Sequence, residues 1–487
     1  MRHKLFVFSL LFLAPIYAEG FKAGATRVDI TPPVGLQLMG FADRTAPSTG
    51  VLDPLHARIL VLETAQERLA IVTLDVCRVF GPWWIDALRE RVKTSSGISH
   101  VLVIATHTHS APVIGDEENK ASSWERETLD KVSKAILAAH QQAVEAQLGV
   151  GYGSVDAGYN RRTMRAGGKV EMIWENPQRR HMGPVDRTVA VLRIDDKQGR
   201  PIAILINHAL HPVVFGVRGL SYSADFVGPL TASVESSFGG ATVCLFVQGA
   251  CGDINPYHAD VPPEQDPPGK RDWTAGVIAK EAVRVANEIR TSTPEHPMLQ
   301  VMEDTLNFHG RWTAAAKTDF RLPVSAILIN RQIALMSMPG EPFVEFQTRW
   351  RDACPVADCL FAGYWNMILD ETGGPWMTSE IHGDPDPNVQ QPIVVVNRQT
   401  KKVDYLAVYY YLAHFSKFVR PGAVRVALSG NEDKIRALAF RVPEGGLVLQ
   451  LLNRRDTPAT VTVAWRDQVL KAELPALSIG TYQWSAK

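Results

Sequence analysis

The stretch VLVIATHTHS, Val101–Ser110, decides how most of the chain is read. Its first half is an unbroken apolar run of mainly β-prone residues. A half-exposed strand alternates apolar with polar positions, whereas a strand covered on both faces does not, so Val101–Ala105 reads as a strand inside a layered α/β domain. The run ends in two histidines separated by one threonine, and α/β sheets gather their ligands just beyond strand ends. His107 and His109 are therefore candidate site residues. In an extended chain they share a face, with Cα atoms about 7 Å apart, so one could hold a metal while the other moves protons. A pair of structural turn histidines gives the same pattern, and the rest of the chain has to decide.

Working outward, further apolar runs at Ala57–Leu62, Leu69–Asp75, Val189–Ile194, Ile202–Asn207, Thr242–Gln248 and Ile333–Met338 read as strands. Amphipathic stretches at Pro82–Val92, Glu125–Ala146, Ala224–Ser237, Trp273–Arg290 and Pro342–Arg351 read as helices. The alternation predicts an α/β fold, a layered mixed sheet with helices. After the proline-rich GDPDPNVQQP the pattern changes to short runs, Ala423–Leu428, Ala437–Arg441, Leu447–Leu452, Ala459–Trp465 and Ile479–Trp484, divided by turn residues. That pattern predicts an all-β sandwich.

The chain has 487 residues, enough for two or three domains, with 46% hydrophobic and 21% charged residues. Its 51 basic and 51 acidic residues cancel, which gives no electrostatic reason to expect a nucleic-acid partner. Arg2, His3 and Lys4 followed by the apolar run Leu5–Ala14 and the small Ala18 fit a secretory signal peptide over residues 1–18. A secreted or periplasmic protein is expected. The five cysteines lack the paired spacing of a structural zinc site. Cys354 and Cys359 are close enough for a small disulfide, and buried free thiols fit equally well.

Three other predicted strands end as the first one does. Ile204–Asn207 runs into His208, His211 and Pro212, Ala334–Met338 runs into Pro339, Gly340 and Glu341, and Thr242–Gln248 runs into the glycine-containing GACGDINP. Two neutral imidazoles and one carboxylate form a common catalytic zinc set with a position left open. Zinc in such a set lowers the pKa of a coordinated water to about 7 and polarises a carbonyl.

Together these motifs resemble the neutral or alkaline ceramidases and their shorter bacterial relatives over about residues 21–363. The resemblance rests on AGATRVDITPPVGLQLMGF, LAIVTLDV, ATHTHSAP, YNRR, HPVVF followed by SADFVG, VQGACGDINP and MPGEPFVEF. It implies that His107, His211 and Glu341 bind Zn2+, that His109 acts on the scissile amide, and that Arg161 binds the substrate carbonyl. The implied reaction is hydrolysis of the amide of ceramide or a related N-acyl lipid. The lipid-amide substrate brings with it a possible peripheral contact with a membrane surface. Two departures stand out. Asn255 stands where the family's glycine loop carries a catalytic serine, so the resemblance implies a changed contact to the sphingoid headgroup, and the family's tyrosine ligand has no counterpart, since no tyrosine follows Tyr364 until Tyr405.

From about Trp365 onward, WNMILDETGGP, YYYLAHFSKFVRPGAVRV and ALSIGTYQW resemble the carboxyl end of the glucosylceramidases of glycoside hydrolase family 30. The resemblance implies a remnant barrel strand and linker over 364–390 and the family's β-sandwich over 391–487. Glycoside hydrolysis there requires two carboxylates from earlier barrel strands, which have no counterpart here, and the adjacent Asp370 and Glu371 match no catalytic position. The leading expectation is a zinc amidohydrolase. The alternatives are an impaired fusion whose sandwich binds glycolipid or a partner and, less favoured, a glucosylceramidase-type glycosidase. Trp83 and Trp84 read as packing residues, the Tyr405–Phe415 aromatics as core, Asp75 as a support for a site histidine, and Asp225 as a charge at a helix start.

Overall fold

The computed structural model describes residues 20–364 apart from 165–169, 296 and 310–318. Beyond these it describes 394–396, 403–405, 414, 417–419, 422–429 and 434–484 apart from 444, 466 and 467. The expected signal peptide, the proline-rich linker, Asp370, Glu371 and most of the tyrosine cluster lie outside the described residues.

An eight-stranded sheet organises the first part of the chain. Its order is 243–248, 201–208, 188–196, 144–154, 22–29, 56–63, 68–74 and 100–105. The pairing is antiparallel except between 68–74 and 100–105 and between 201–208 and 243–248. His100–Ala105 shows why its sequence does not alternate. Val101, Val103 and Ala105 pack into the core shared with the helices, while Leu102 and Ile104 pack into a second core on the opposite face. Each fully buried aliphatic side chain here contributes roughly 1.5–3 kcal/mol.

The helical layer comprises α1 (Pro82–Ser96), α2 (Ser123–Gln141), α3 (Val227–Ser237) and α4 (Pro267–Glu288). Ser122 and Glu125 start α2 with a reciprocal capping box, in which the Glu125 amide donates to Ser122 Oγ and the Ser122 amide donates to Glu125 Oε1. The sequence extends this helix to Ala146, but it stops at Gln141, and Val144–Ser154 is a strand. That strand escapes a hydrophobicity reading because Gly149, Gly151 and Gly153 form its helix-facing side. A Cβ on Gly151 would lie 2.8 Å from Ile289, and one on Gly153 would lie 2.7 Å from Val285. On that face the residues that pack are the ones with no side chain, while Ala146, Leu148 and Val150 pack on the other.

The opposite face is covered by a second sheet, ordered 299–309, 319–329, 333–337 and 358–362, with the last pair parallel. Leu299, Ile327, Ile329, Ile333, Leu335 and Leu360 meet Leu60, Leu62, Ile71, Leu102 and Ile104 in the shared core. Only Ile333–Ser337 of this layer is legible from its apolar run. Helix α5 (Val344–Ala353) follows that strand, and a disulfide joins Cys354 to Cys359 beyond it. Trp84 is buried and stacks on Phe80, a packing role as expected.

Contacts divide the chain into residues 1–374 and 375–487. In the second unit 424–426, 435–441, 447–453 and 478–484 form one antiparallel sheet, and 459–465 pairs with 468–474 in another. Leu447, Leu449, Leu451, Ala472 and Leu474 form the core of this all-β unit. No helix among the described residues is long and apolar enough to cross a membrane.

Candidate metal centre

The two edge strands of the large sheet meet through one side chain. Gln248, fully buried at the end of 243–248, donates from Nε2 to Thr106 O at 2.9 Å and to Leu210 O at 3.0 Å. This ties the residue before His107 to the residue before His211. The second sheet joins at the same point: the Gly363 amide donates to Gln248 O and the Ala105 amide donates to Tyr364 O. Asn207 clasps Phe361, donating to its carbonyl at 2.8 Å and accepting from its amide at 3.1 Å.

His107 does not continue the strand. Its φ is 70°, a left-handed backbone that is costly for a residue with a side chain, so the extended-chain reason for a shared face does not apply. The imidazoles still converge, with His107 Nε2 lying 2.9 Å from His211 Nε2 and 3.1 Å from His109 Nε2. Glu341 Oε1 is 3.4 Å from His107 Nε2, and its Oε2 is 3.8 Å from His211 Nε2. The three histidines are buried, while the Glu341 side chain is 40% exposed and opens the cluster to solvent.

Carbonyls fix the tautomers of the inner pair. His107 Nδ1 lies 2.5 Å from Cys77 O and His211 Nδ1 lies 2.8 Å from Cys251 O. With Nδ1–H donated in each case, both Nε2 atoms present lone pairs to one another. Burial lowers the pKa of all three histidines, and for His211 and His109 the neighbouring cationic and imidazole groups lower it further. These rings therefore stay neutral as ligands must. Two facing lone pairs beside a carboxylate are suited to a cation, and the residues His107, His211 and Glu341 have the donor types of a catalytic zinc set. A second grouping joins Cys77 with His107 and His109 and lacks a carboxylate.

Arg161 is buried beside the carboxylate, with Nη2 3.8 Å from Glu341 Oε2. Its Nε and Nη2 donate to Gly252 O at 3.1 and 2.7 Å, and Nη1 donates to Asn255 Oδ1 at 3.4 Å. The GACGDINP loop thus carries the arginine, and Gly252 is required there, since a Cβ would lie 2.3 Å from Glu341 O. The metal and catalytic residues that the resemblance implied, His107, His109, Arg161, His211, Asn255 and Glu341, lie in one cluster.

Asp75 is elsewhere. Its Oδ2 accepts from Arg58 Nη1 at 2.7 Å and from the His56 amide at 2.9 Å, so it supports no site histidine. Asp225 precedes α3 and accepts from the Phe215 and Phe226 amides. Tyr364, at the point where the sequence suggested a lost tyrosine, is buried within the cluster. Its ring stacks on His107 with centroids 4.1 Å apart, and its hydroxyl lies 3.0 Å from Cys251 Sγ. Sequence reasoning also missed Arg44, whose buried guanidinium donates to His109 O at 2.6 Å. Nothing in its local sequence marks it, because apart from Met39 O its side-chain partners come from two distant segments, at His109 and at Gly216 and Val217.

Residues 21–262 match the family model of the neutral/alkaline non-lysosomal ceramidase N-terminal domain, and residues 422–482 match that of the glycosyl hydrolase family 30 beta sandwich domain. Over 124 residues the chain is 34% identical to the lysosomal acid glucosylceramidase of Mus musculus, a match covering 25% of this chain and 22% of that protein. A putative glucosylceramidase 1 of Caenorhabditis elegans is 26% identical over 197 residues, 38% of this chain and 31% of that protein. The chain thus spans about a sixth to a third of the length of the curated relatives it matches. Among solved structures, the neutral ceramidase of Pseudomonas aeruginosa superposes with a TM-score of 0.58 at 15% identity, over 96% of this chain and 93% of that one. A ceramidase complexed with C2 gives 0.57 at 13% identity, over 96% and 94%. At these identities the likeness is one of fold.

Proposed function

We propose that this chain, whose residues 21–262 match the neutral/alkaline ceramidase N-terminal domain, is a zinc-dependent hydrolase of the amide bond of ceramide or a related N-acyl lipid. The observation that carries the reading is the pair of carbonyl-fixed imidazoles with Nε2 atoms 2.9 Å apart beside Glu341. His107, His211 and Glu341 would hold the metal, which when bound activates water and polarises the amide carbonyl.

The remaining chemistry falls to the chain. The Arg161 guanidinium, anchored on Gly252 O, orients the carbonyl oxygen and stabilises the negative charge that develops on it. His109, kept neutral by burial, accepts a proton of the attacking water at Nε2 and delivers it to the leaving nitrogen, returning to its neutral form. In the balanced reaction the C–N bond breaks, water oxygen joins the carbonyl carbon, and the water protons end on the carboxylic acid and the amine. Asn255 holds Arg161 from the loop side.

Metal analysis of the purified protein and an assay with a fluorescent N-acylsphingosine test this reading together. Stoichiometric zinc and amide cleavage, both abolished in His107→Ala, are expected. A metal-free, active protein, or an active His107→Ala variant, refutes it.

The Cys354–Cys359 disulfide favours an oxidising compartment and hence export. The match of residues 422–482 to a glycosidase β-sandwich favours a second reading, in which that unit binds glycolipid or a partner. Zinc binding without amide cleavage, together with glycosphingolipid binding by the full chain that is lost when residues 385–487 are removed, would establish it.

A further inference from the structure

Two half-buried aromatic rings, Phe41 and Trp174, belong to neither hydrophobic core of the first unit. They come from segments far apart in sequence and meet beside the cluster. The Phe41 ring sits edge-on to His109, with centroids 4.9 Å apart and an interplanar angle of 75°. The Trp174 ring lies under the Arg161 guanidinium at 5.5 Å. The two rings are 6.5 Å apart and tilted by 47°. Together they span the interval between the arginine and the histidine.

Large aromatics left partly in water at a polar site are costly to solvate, and ligand pockets are built from such apolar walls around a few polar groups. On the amidase reading, on which this inference rests, Arg161 meets the carbonyl oxygen and His109 meets the amide nitrogen. The atom between those two points is the acyl carbon, and its remaining substituent is the acyl chain. We infer that Phe41 and Trp174 receive the first methylenes of the acyl chain, making them specificity-determining residues for N-acyl substrates. Arg44 stacks over Phe41 at 4.8 Å and stiffens that side of the wall.

The test uses the full-length, zinc-loaded protein and two substrate series. One joins acetyl, butanoyl and octanoyl groups to a single soluble fluorogenic amine. The other keeps the acetyl group and lengthens the amine. In the acyl series kcat/KM should rise with length for the wild type. Phe41→Ala and Trp174→Ala should each lose about tenfold on the octanoyl substrate and less than about twofold on the acetyl one. Phe41→Leu and Trp174→Phe, which keep most of the apolar surface, should recover most of the octanoyl rate, and the amine series should be unchanged. Equal loss at every acyl length, no loss at all, or a change confined to the amine series overturns this assignment while leaving the amidase reading standing. A zinc-loaded wild type that cleaves no member of either series overturns both.

Discussion

His107 Nε2 and His211 Nε2 face each other at 2.9 Å while the opposite nitrogen of each ring is held by a carbonyl, Cys77 O for one and Cys251 O for the other. Neither ring can give the other a proton in that tautomer, and burial opposes adding one. The arrangement stores lone-pair repulsion that a divalent cation removes. Metal addition to the chelated protein should therefore raise its unfolding free energy, by about 2.7 kcal/mol at a free metal concentration a hundredfold above Kd. His107→Ala should show no such rise. Urea unfolding with and without zinc checks this, and equal stabilisation of the variant would contradict it.

Gly40 faces the His109 ring at a distance that no side chain can occupy. A Cβ there would lie 2.4 Å from the imidazole, and the φ of +108° disfavours any other residue. Gly40→Ala should push His109 out of place while leaving His107, His211 and Glu341 intact. We expect kcat to fall by about a hundredfold with zinc stoichiometry unchanged. Loss of zinc in parallel with activity would show that the effect is not local to His109.

Arg44 braces three loops at once. Besides His109 O at 2.6 Å it donates to Val217 O at 3.3 Å and Gly216 O at 3.4 Å, so it ties the His109 segment to the loop after His211. Burial lowers its pKa to about 10, which leaves it charged at neutral pH. Arg44→Met would strand buried carbonyls, and we expect a loss of about 2–4 kcal/mol of stability. Arg44→Lys, which keeps the charge but not the fork, should recover part of it. Equilibrium denaturation of the three proteins decides, and a methionine variant as stable as wild type would refute the bracing role.

How much of this was legible follows from where each signal comes from. Val101–Ala105 announced itself because a strand covered by helices on one side and a sheet on the other has no polar position to spare. The strand Val144–Ser154 was hard to see for the opposite reason, since its helix-facing side is glycine and only Ala146, Leu148 and Val150 on the other face carry an apolar signal. The metal-type residues were legible as strand-end motifs, but their convergence was not. It depends on Gln248 joining two edge strands and on a left-handed His107, neither of which leaves a periodic trace. Tyr364 was read as the last residue before a gap. Its place against His107 comes from the strand Asp358–Ala362 pairing in parallel with Ile333–Ser337, a long-range match that the local sequence does not encode.

His208 offers a pH test away from the His107–His211 pair. It is 2% exposed, and its Nδ1 lies 2.8 Å from Thr188 O. Burial lowers its pKa, outweighing the carbonyl contact and the nearby Asp186 carboxylate. A histidine depressed in the folded state takes up its proton first on unfolding. Its contribution is therefore fully present above the unfolded pKa of about 6.5 and is lost as pH falls below that value toward the folded pKa. His208→Gln retains a donor for Thr188 O and cannot titrate. Relative to this variant, the wild type should lose stability between pH 7 and 5, with a limiting slope of about 1.4 kcal/mol per pH unit. Other titrating groups act alike in both proteins, so the difference isolates His208. Urea midpoints measured for both proteins across that range check it. Parallel curves would mean that His208 has the same pKa in the folded and unfolded states, and a wild type gaining on the variant as pH falls would reverse the sign of the shift.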